Sequence, residues 1–499
     1  MTTQIQLPLP TAGQRPALCV MVLGTSSGAG KSWVTTALCA WYRAQGYKVA
    51  PFKAQNMSNN ARVVATPNGK WGEIGTAQYL QALAAGCVPD VRMNPLLLKP
   101  EADTRSQVVL FGQVDHELSA MPWRGRSLKV WPQIAQALDD LRAENDVVVI
   151  EGAGSPAEIN LHASDVVNMR VAKHGNAHCL LVSDIDRGGA FAHLYGTWAL
   201  LPEDEQALIK GFVLNKFRGD ASLLAPAPQM LEEKTGIPTV ATIPMQFQHG
   251  LPEEDGVFDD RGSGGSGQAV HTTIAIVAYP RISNLDEFQP LLQVPGVRVI
   301  WARSPAQLAQ ADWIILPGSK ATAADLAWMR TQALDAAVIA HAQAGKRVLG
   351  ICGGLQMLGE ALIDLHGVDG NAPGLGLLPL TTVFAQEKTV QRTQVELPAL
   401  PGAWQALSGV SASVYEIHHG QTAVRADMLA EGDTVFEAVP GLLWLGANSA
   451  VMGCYWHGLF ENSAVVQALW GAQTISLEQV FANLAQGVDQ WFIKPQDAQ

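Results

Sequence analysis

The sequence predicts an α/β protein of two domains, each a mostly parallel sheet flanked by helices. Three observations carry that expectation. Short runs rich in Val, Ile and Leu recur along the chain: "ALCVMVLG", "DVVVIEGAG", "HCLLVSDID" and "GFVLNKF", then "IAIVAYP", "WIILPGS", "VLGICGG" and "VMGCYWHG". Such runs suit strands buried on both faces of a parallel sheet. Each ends in a glycine or acidic turn before a helical pattern begins, which is the alternation of βα units. Between the two groups of four lies "DDRGSGGSGQ", nearly devoid of apolar residues, as a flexible linker is. The expected division is residues 1–258, a linker over 259–269, and 270–499. A chain of 499 residues is also too long for one ordinary domain.

Composition narrows the class. Nearly half the residues are apolar (48%) and only 16% are charged, which favours packed cores over disorder. A net charge of −12 provides no footprint for duplex nucleic acid or an anionic membrane, and no apolar run is long enough to span a bilayer. The opening "MTTQIQLPLPTAGQRP" lacks a basic start and an apolar centre, so it is not expected to be a signal peptide. None of the six cysteines forms a Cys-x-x-Cys pair, and disulfides are not expected. The expectation is a soluble, cytoplasmic protein; the sequence does not give its oligomeric state.

In such sheets ligands gather beyond the carboxyl ends of strands, and the unusual residues fall there. The first run leads into "LGTSSGAGKS", followed by the helix-like "WVTTALCAWYRAQG". Glycines such as Gly28 and Gly30 let backbone N–H groups curl around phosphate oxygens. Lys31 would reach the terminal phosphates of ATP, and Ser32 would ligate Mg²⁺. Five residues rather than the usual four separate Gly24 from Gly30. Glu151, Asp184 and Asp186 end two further runs and offer hard oxygen ligands for the same Mg²⁺. "FKAQNMSNNA" is too polar for a core and has no helical stripe, so Lys53 and Asn56 are candidates for a phosphate or a substrate carboxylate. Asn215 either reads an adenine edge or forms an Asn turn.

On the C-terminal side Cys352 sits between "RVLGI" and "GGLQMLGEAL". A nucleophile on such a strand-to-helix turn projects above the sheet, with the Gly353 N–H aimed at the developing oxyanion. Gly350 and Gly354 relieve crowding, and Gly318 in "LPGSK" is the candidate for the second oxyanion donor. A thiol needs a base, and His457, at another strand end, is the candidate. His418 and His419 either line a substrate cleft or cover a surface turn; without partners at ligand spacing, zinc is not expected. Cys454 and the remaining cysteines fit core packing.

"LGTSSGAGKS", "FKAQNMSNNA", "LLLKP", "EGAGSPAEINL", "DVVNM", "DIDRGGAFA", "NKFRGD", "YPRISNLDEF", "GICGGLQMLG" and "YEIHHGQT" occur in this order, and together they resemble the cobyric acid synthase family of adenosylcobalamin biosynthesis. The resemblance runs from about residue 18 to 465. It implies a dethiobiotin-synthetase-like P-loop amidoligase fused to a class I glutamine amidotransferase domain. It further implies that glutamine is hydrolysed at Cys352 with His457, and that ATP activates a corrinoid carboxylate for attack by the ammonia. The implied products are amides at the b, d, e and g carboxylates of adenosylcobyrinic acid a,c-diamide. Cobyrinic acid a,c-diamide synthase shares both domain types and stays open as the nearest alternative; a binding protein with a dead glutaminase is disfavoured by the intact Cys352, His457, Lys31 and Ser32. Membrane-associated switch ATPases carry an extra lysine where this chain has Ser26. Many class I glutaminases carry a Glu two residues after the catalytic His. Here that residue is Leu459, and Glu461 is not assumed to replace it, so the imidazole is expected to be less firmly oriented and the glutaminase slow without ATP and corrinoid.

Overall fold

The computed structural model describes residues 7–11, 13–102, 104–246, 249–252, 269–424 and 434–492. The expected linker, 259–269, lies outside them except for its last residue. All eight apolar runs of the sequence form strands or strand ends, and each strand is buried along most of its length. They belong to two separate sheets.

The first sheet has six strands in the order Thr239–Pro244, Ile209–Phe217, His178–Asp184, Leu18–Gly24, Val147–Glu151, Val49–Phe52. Every pairing in it is parallel. Leu18–Gly24 lies at its centre, with the strands ending in Glu151 and Asp184 on either side. That topology brings the glycine turn and both acidic strand ends to one edge, where chain order alone separates them by more than a hundred residues. The Lys31–Ala44 helix starts directly after Gly30, whose φ of 95° suits a residue without a side chain.

The second sheet has seven strands in the order Val297–Ala302, Thr272–Val277, Trp313–Leu316, Arg347–Ile351, Val451–Cys454, Leu443–Gly446, Val435–Val439. The first five run parallel and the last two close the edge antiparallel. Arg347–Ile351 and Val451–Cys454 are neighbours, so Cys352 and His457 emerge side by side.

Three features depart from the expectation. A long antiparallel pair, Leu380–Glu396 with Ser411–Val424, stands outside the second sheet and carries His418 and His419. "FKAQNMSNNA", too polar by composition for a core, is buried at Lys53, Asn56, Ser58 and Asn60, held by bonds such as Asn56 Nδ2 to Gln78 Oε1 at 3.0 Å. Polar groups can be buried when they are hydrogen-bonded, and composition alone does not reveal the partners. Residues 270–499 also do not pack as one domain. The Leu477–Trp491 helix returns to the first sheet, where Asp489 accepts from the Trp41 indole at 2.8 Å and Phe492 bridges Ala241. Its buried stripe of Val480, Phe481, Leu484 and Val488 joins the core beneath Lys31–Ala44, which corrects the expected boundary. Among the described residues no helix is long and apolar enough to cross a membrane.

Candidate functional site

The glycine turn opens into a cleft of about 1380 Å³. Gly28, Gly30, Lys31, Ser32, Lys53, Asn56, Glu151, Asp184 and Asn215 all line it. Lys31 Nζ donates to the carbonyls of Ser26 (3.0 Å) and Gly154 (3.1 Å), which span the turn and the loop after Glu151. Glu151 is fully buried and accepts from Ser32 Oγ and Lys53 Nζ, each at 2.8 Å, and from Gln81 Nε2 at 2.6 Å. An uncompensated carboxylate at that depth would cost several kcal/mol, so these partners are what keep it there. Ser32 and Glu151 thus meet as expected for a shared cation site, and hard oxygen donors of this kind fit Mg²⁺. Asp184 lines the same cleft, with Lys216 at 3.4 Å and Arg187 at 3.5 Å as its near cations.

Two expected roles change here. Asn215 Nδ2 donates to the Ala29 carbonyl at 2.9 Å and lies where a Cβ on Gly30 would be, 2.1 Å away. Its amide braces the glycine turn, and that donor is not free to read an adenine edge. Lys53 pairs with Glu151 as described, so its ammonium already holds a carboxylate. Asn56 remains in the cleft wall.

The second centre lies at the other sheet. Cys352 has φ 53° and ψ −107° at the start of the Gly353–Leu358 helix, a backbone region costly for a residue with a side chain. Its N–H donates to the Cys454 carbonyl at 2.8 Å, which ties the turn to the strand that leads to His457. Close packing makes glycine obligatory nearby: a Cβ on Gly354 would sit 1.9 Å from the Leu316 carbonyl oxygen, and one on Gly353 2.7 Å from the Ser319 nitrogen. Gly318 faces the His457 ring, 2.8 Å from its Cε1 by the same measure. The Tyr279 hydroxyl donates to the Pro317 carbonyl, so across the trans peptide the Gly318 N–H points away from Tyr279.

His457 is buried beside Cys352, whose thiol donates to the Ile417 carbonyl at 3.6 Å. Its Nδ1 lies 2.8 Å from Glu287 Oε1, while Glu287 Oε2 accepts from the Gly458 N–H at 2.9 Å. Burial disfavours the imidazolium, but the Glu287 carboxylate and Cys352 outweigh it and push His457 up to about 10. The expected looseness of the imidazole is therefore corrected. Leu459 is core, Glu461 points elsewhere, and the carboxylate comes from Glu287 in the Leu285–Gln293 turn, 170 residues upstream. Glu287 lies inside "YPRISNLDEF", but an acid in a short turn carries no periodicity or spacing that ties it to a distant histidine.

A small cavity of about 50 Å³ adjoins Cys352. His418 belongs here and not in the large cleft: its Nδ1 lies 2.8 Å from the Gly420 carbonyl, and its ring stacks on Tyr455 at 3.8 Å. The long hairpin carries it to the cysteine, so of the two expected settings it has the cleft and not a surface turn. Lys99 and Asn59, from the first half of the chain, share this cavity wall with Lys320, Asp369 and Lys388.

A strained cysteine beside a carboxylate-held histidine, and a glycine turn with lysine and acids at the ends of a parallel sheet, define the class: a glutamine-dependent ligase with a nucleotide-binding domain. The family description "CobQ/CobB/MinD/ParA nucleotide binding domain" matches residues 20–254, and "CobB/CobQ-like glutamine amidotransferase domain" matches 273–465. The chain is 73% identical to cobyric acid synthase of Paracidovorax citrulli (strain AAC00-1), over 95% of this chain and 97% of that protein, and 60% identical to that of Leptothrix cholodnii, over 96% of each. It belongs to the cobyric acid synthase family. One solved structure, a glutamine amidotransferase, aligns over 43% of the chain at 16% identity and a TM-score of 0.28, too slight a likeness to build on.

Proposed function

We propose that the protein amidates the b, d, e and g carboxylates of adenosylcobyrinic acid a,c-diamide, giving adenosylcobyric acid in cobalamin biosynthesis, with glutamine as nitrogen donor and ATP as the activating group. The observation that carries this reading is the buried Cys352–His457–Glu287 line in the same chain as a phosphate-type cleft of about 1380 Å³. That volume exceeds the roughly 300–1,000 Å³ of an ordinary small-molecule site, as expected if a nucleotide and a large second substrate bind together.

At the first centre Cys352 Sγ attacks the glutamine amide carbon. The oxyanion is met by the N–H groups of Gly353 and Gly318. His457, having taken the thiol proton, returns it to the departing nitrogen, and ammonia leaves a thioester. Water then cleaves the thioester to glutamate with His457 as base. Glu287 keeps Nδ1 protonated so that Nε2 faces the sulfur.

At the second centre the N–H groups around Gly28 and Gly30, with Lys31, hold the ATP phosphates. A substrate carboxylate oxygen attacks the γ-phosphorus and ADP leaves. Ammonia displaces phosphate from the acyl phosphate, losing one proton, and the amide results. Ser32, Glu151 and Asp184 would hold Mg²⁺, which when bound offsets phosphate charge. Lys53, beside Glu151 in the same cleft, would face a phosphate or the substrate carboxylate.

Mass spectrometry of the a,c-diamide incubated with protein, Mg·ATP and glutamine tests the reading. Four successive carboxyl-to-amide mass steps are expected. ATP and glutamine consumed with no corrinoid product would overturn the substrate and leave both chemistries in place.

A further inference from the structure

The turn that supplies Glu287 is a wall shared by the two centres. Leu285, Asp286 and Phe288 line the large cleft, while Glu287, between them, faces the histidine. This turn is clasped by the first half of the chain. Ala61 N–H donates to Asn284 Oδ1 at 2.9 Å, and Leu285 N–H donates to Asn60 Oδ1 at 3.2 Å. Asn60 itself lines the large cleft.

Arg62 lies two residues beyond Asn60, on the Ala61–Ala65 strand, and is buried. Its guanidinium contacts all three segments that frame His457. It bonds Asp286, next to Glu287; it bonds Glu461, just after the histidine, at 2.5 Å; and it bonds the Tyr415 hydroxyl. Tyr415 in turn stacks on the His457 ring at 5.4 Å and exchanges backbone hydrogen bonds with His457 at 2.9 and 3.2 Å. Asp286, Glu287 and Glu461 all act on the Arg62 guanidinium, the cation set among them, and of the three Glu287 is the one that holds the imidazole. A planar fork can bridge several oxygens at once, which an ammonium does less well. Asp286 Oδ1 is buried with no hydrogen-bond partner among the described residues, on a residue that lines the cleft.

We propose that Arg62 is a positioning residue for the glutaminase: from the nucleotide-binding half it fixes Asp286 and Tyr415, and through them the Glu287–His457 pair, so that occupancy of the large cleft sets the rate at Cys352. This rests on the assignment of Cys352 and His457 to glutamine hydrolysis. A ligand that engages Asp286 or Asn60 shifts the same short turn that orients the imidazole, which gives the two sites the differential contact that coupling requires. The acids and the arginine act at a distance from the thiol and touch neither glutamine nor the reacting atoms.

The test measures glutamine hydrolysis by the full chain, with and without Mg·ATP plus the a,c-diamide corrinoid, for wild type, Arg62→Met and Arg62→Lys. Amidation driven by ammonium chloride is followed in parallel as a measure of an intact second centre. In wild type the two ligands are expected to raise kcat by about 10-fold, within the usual range for coupled sites. Arg62→Met is expected to lower the stimulated kcat by about 10-fold and bring the stimulation ratio near 1, with KM for glutamine changed less than about 3-fold. Ammonia-driven amidation should persist, and Arg62→Lys should recover part of the ratio. An unchanged ratio in Arg62→Met, or a parallel fall in ammonia-driven amidation, would overturn the role of Arg62. A wild-type ratio of 1 would overturn the coupling. A wild type that binds both ligands but never hydrolyses glutamine would overturn the glutaminase assignment itself, and this inference with it.

Discussion

The two centres are assembled in opposite ways. At the nucleotide cleft the groups proposed to hold phosphate and its cation come from one turn, Gly24 to Ser32, and from the ends of two flanking strands in the same sheet. Their charges are matched locally, Lys53 to Glu151 and Lys216 to Asp184. At the cysteine, only Cys352 and His457 come from adjacent strand ends. Glu287 arrives from a turn at the domain boundary, and Lys99, Asn59 and Arg62 come from the other half of the chain. The difference in size runs the same way, about 1380 Å³ against about 50 Å³. One centre is a wide platform; the other is enclosed and depends on both halves being docked.

Separability of the two chemistries is the sharpest challenge to this contrast. Cys352→Ala removes the nucleophile, and glutamine-dependent amidation should fall by about 10⁴-fold or more, in line with losses of catalytic nucleophiles elsewhere. With ammonium chloride in place of glutamine the rate should stay within about 3-fold of wild type, because Cys352 is not among the described residues that line the wide cleft. Loss of both activities in a folded variant would mean that the centres are not distinct.

Lys31→Ala attacks the other side. Lys31 bridges the Ser26 and Gly154 carbonyls, so its removal both loosens the turn and takes a cation from the phosphates. Amidation from either nitrogen source should drop by about 10²–10³-fold, as for other groups that stabilise transferring phosphates. Glutamine hydrolysis without nucleotide should be nearly unchanged. A variant that hydrolyses glutamine poorly without any ligand would show that the platform supports the pocket mechanically, and would weaken the contrast.

The same contrast decides what could be seen in the sequence. Lys31 and Ser32 were legible because their chemistry is written in consecutive residues, where a glycine turn joins a strand to a helix. Cys352 was legible for the same reason, and His457 because it closes an apolar strand. Glu287 was not, since the position two residues past the histidine is Leu459, which fills the core. Its position depends on how a short turn folds between two sheets, which is a matter of tertiary packing. The bond from Asn215 to the Ala29 carbonyl is not legible in sequence, because no strand pattern reveals that Gly30 leaves room for its amide. His418 was placed at a substrate site, yet only the long hairpin, with its irregular register between Phe384 and Thr389, determines which one.

The smallest and most specific effect concerns Glu287. Glu287→Gln keeps the shape and an oxygen for the Gly458 N–H but removes the charge beside His457 Nδ1, and kcat for glutamine hydrolysis should fall on the order of 10²-fold at pH 8. Its pH dependence distinguishes charge from geometry. In the wild type burial lowers His457, but Glu287 and Cys352 raise it to about 10, so the imidazolium that protonates the leaving nitrogen persists until the pH nears that value. Without the Glu287 charge, burial prevails over the remaining attraction and the alkaline limb should move down towards the ordinary histidine value of 6.5. The deficit should therefore be modest at pH 6 and widen steadily to pH 9. Stability follows the same sign: a histidine raised in the folded state contributes fully below about 6.5, and that contribution fades as the pH rises through 10. The wild type, but not Glu287→Gln, should lose thermal stability across that interval through this group. A kcat deficit that is flat from pH 6 to 9 would mean that Glu287 acts by position alone, and that the charge balance around His457 rests on Cys352 and on the Arg62 cluster.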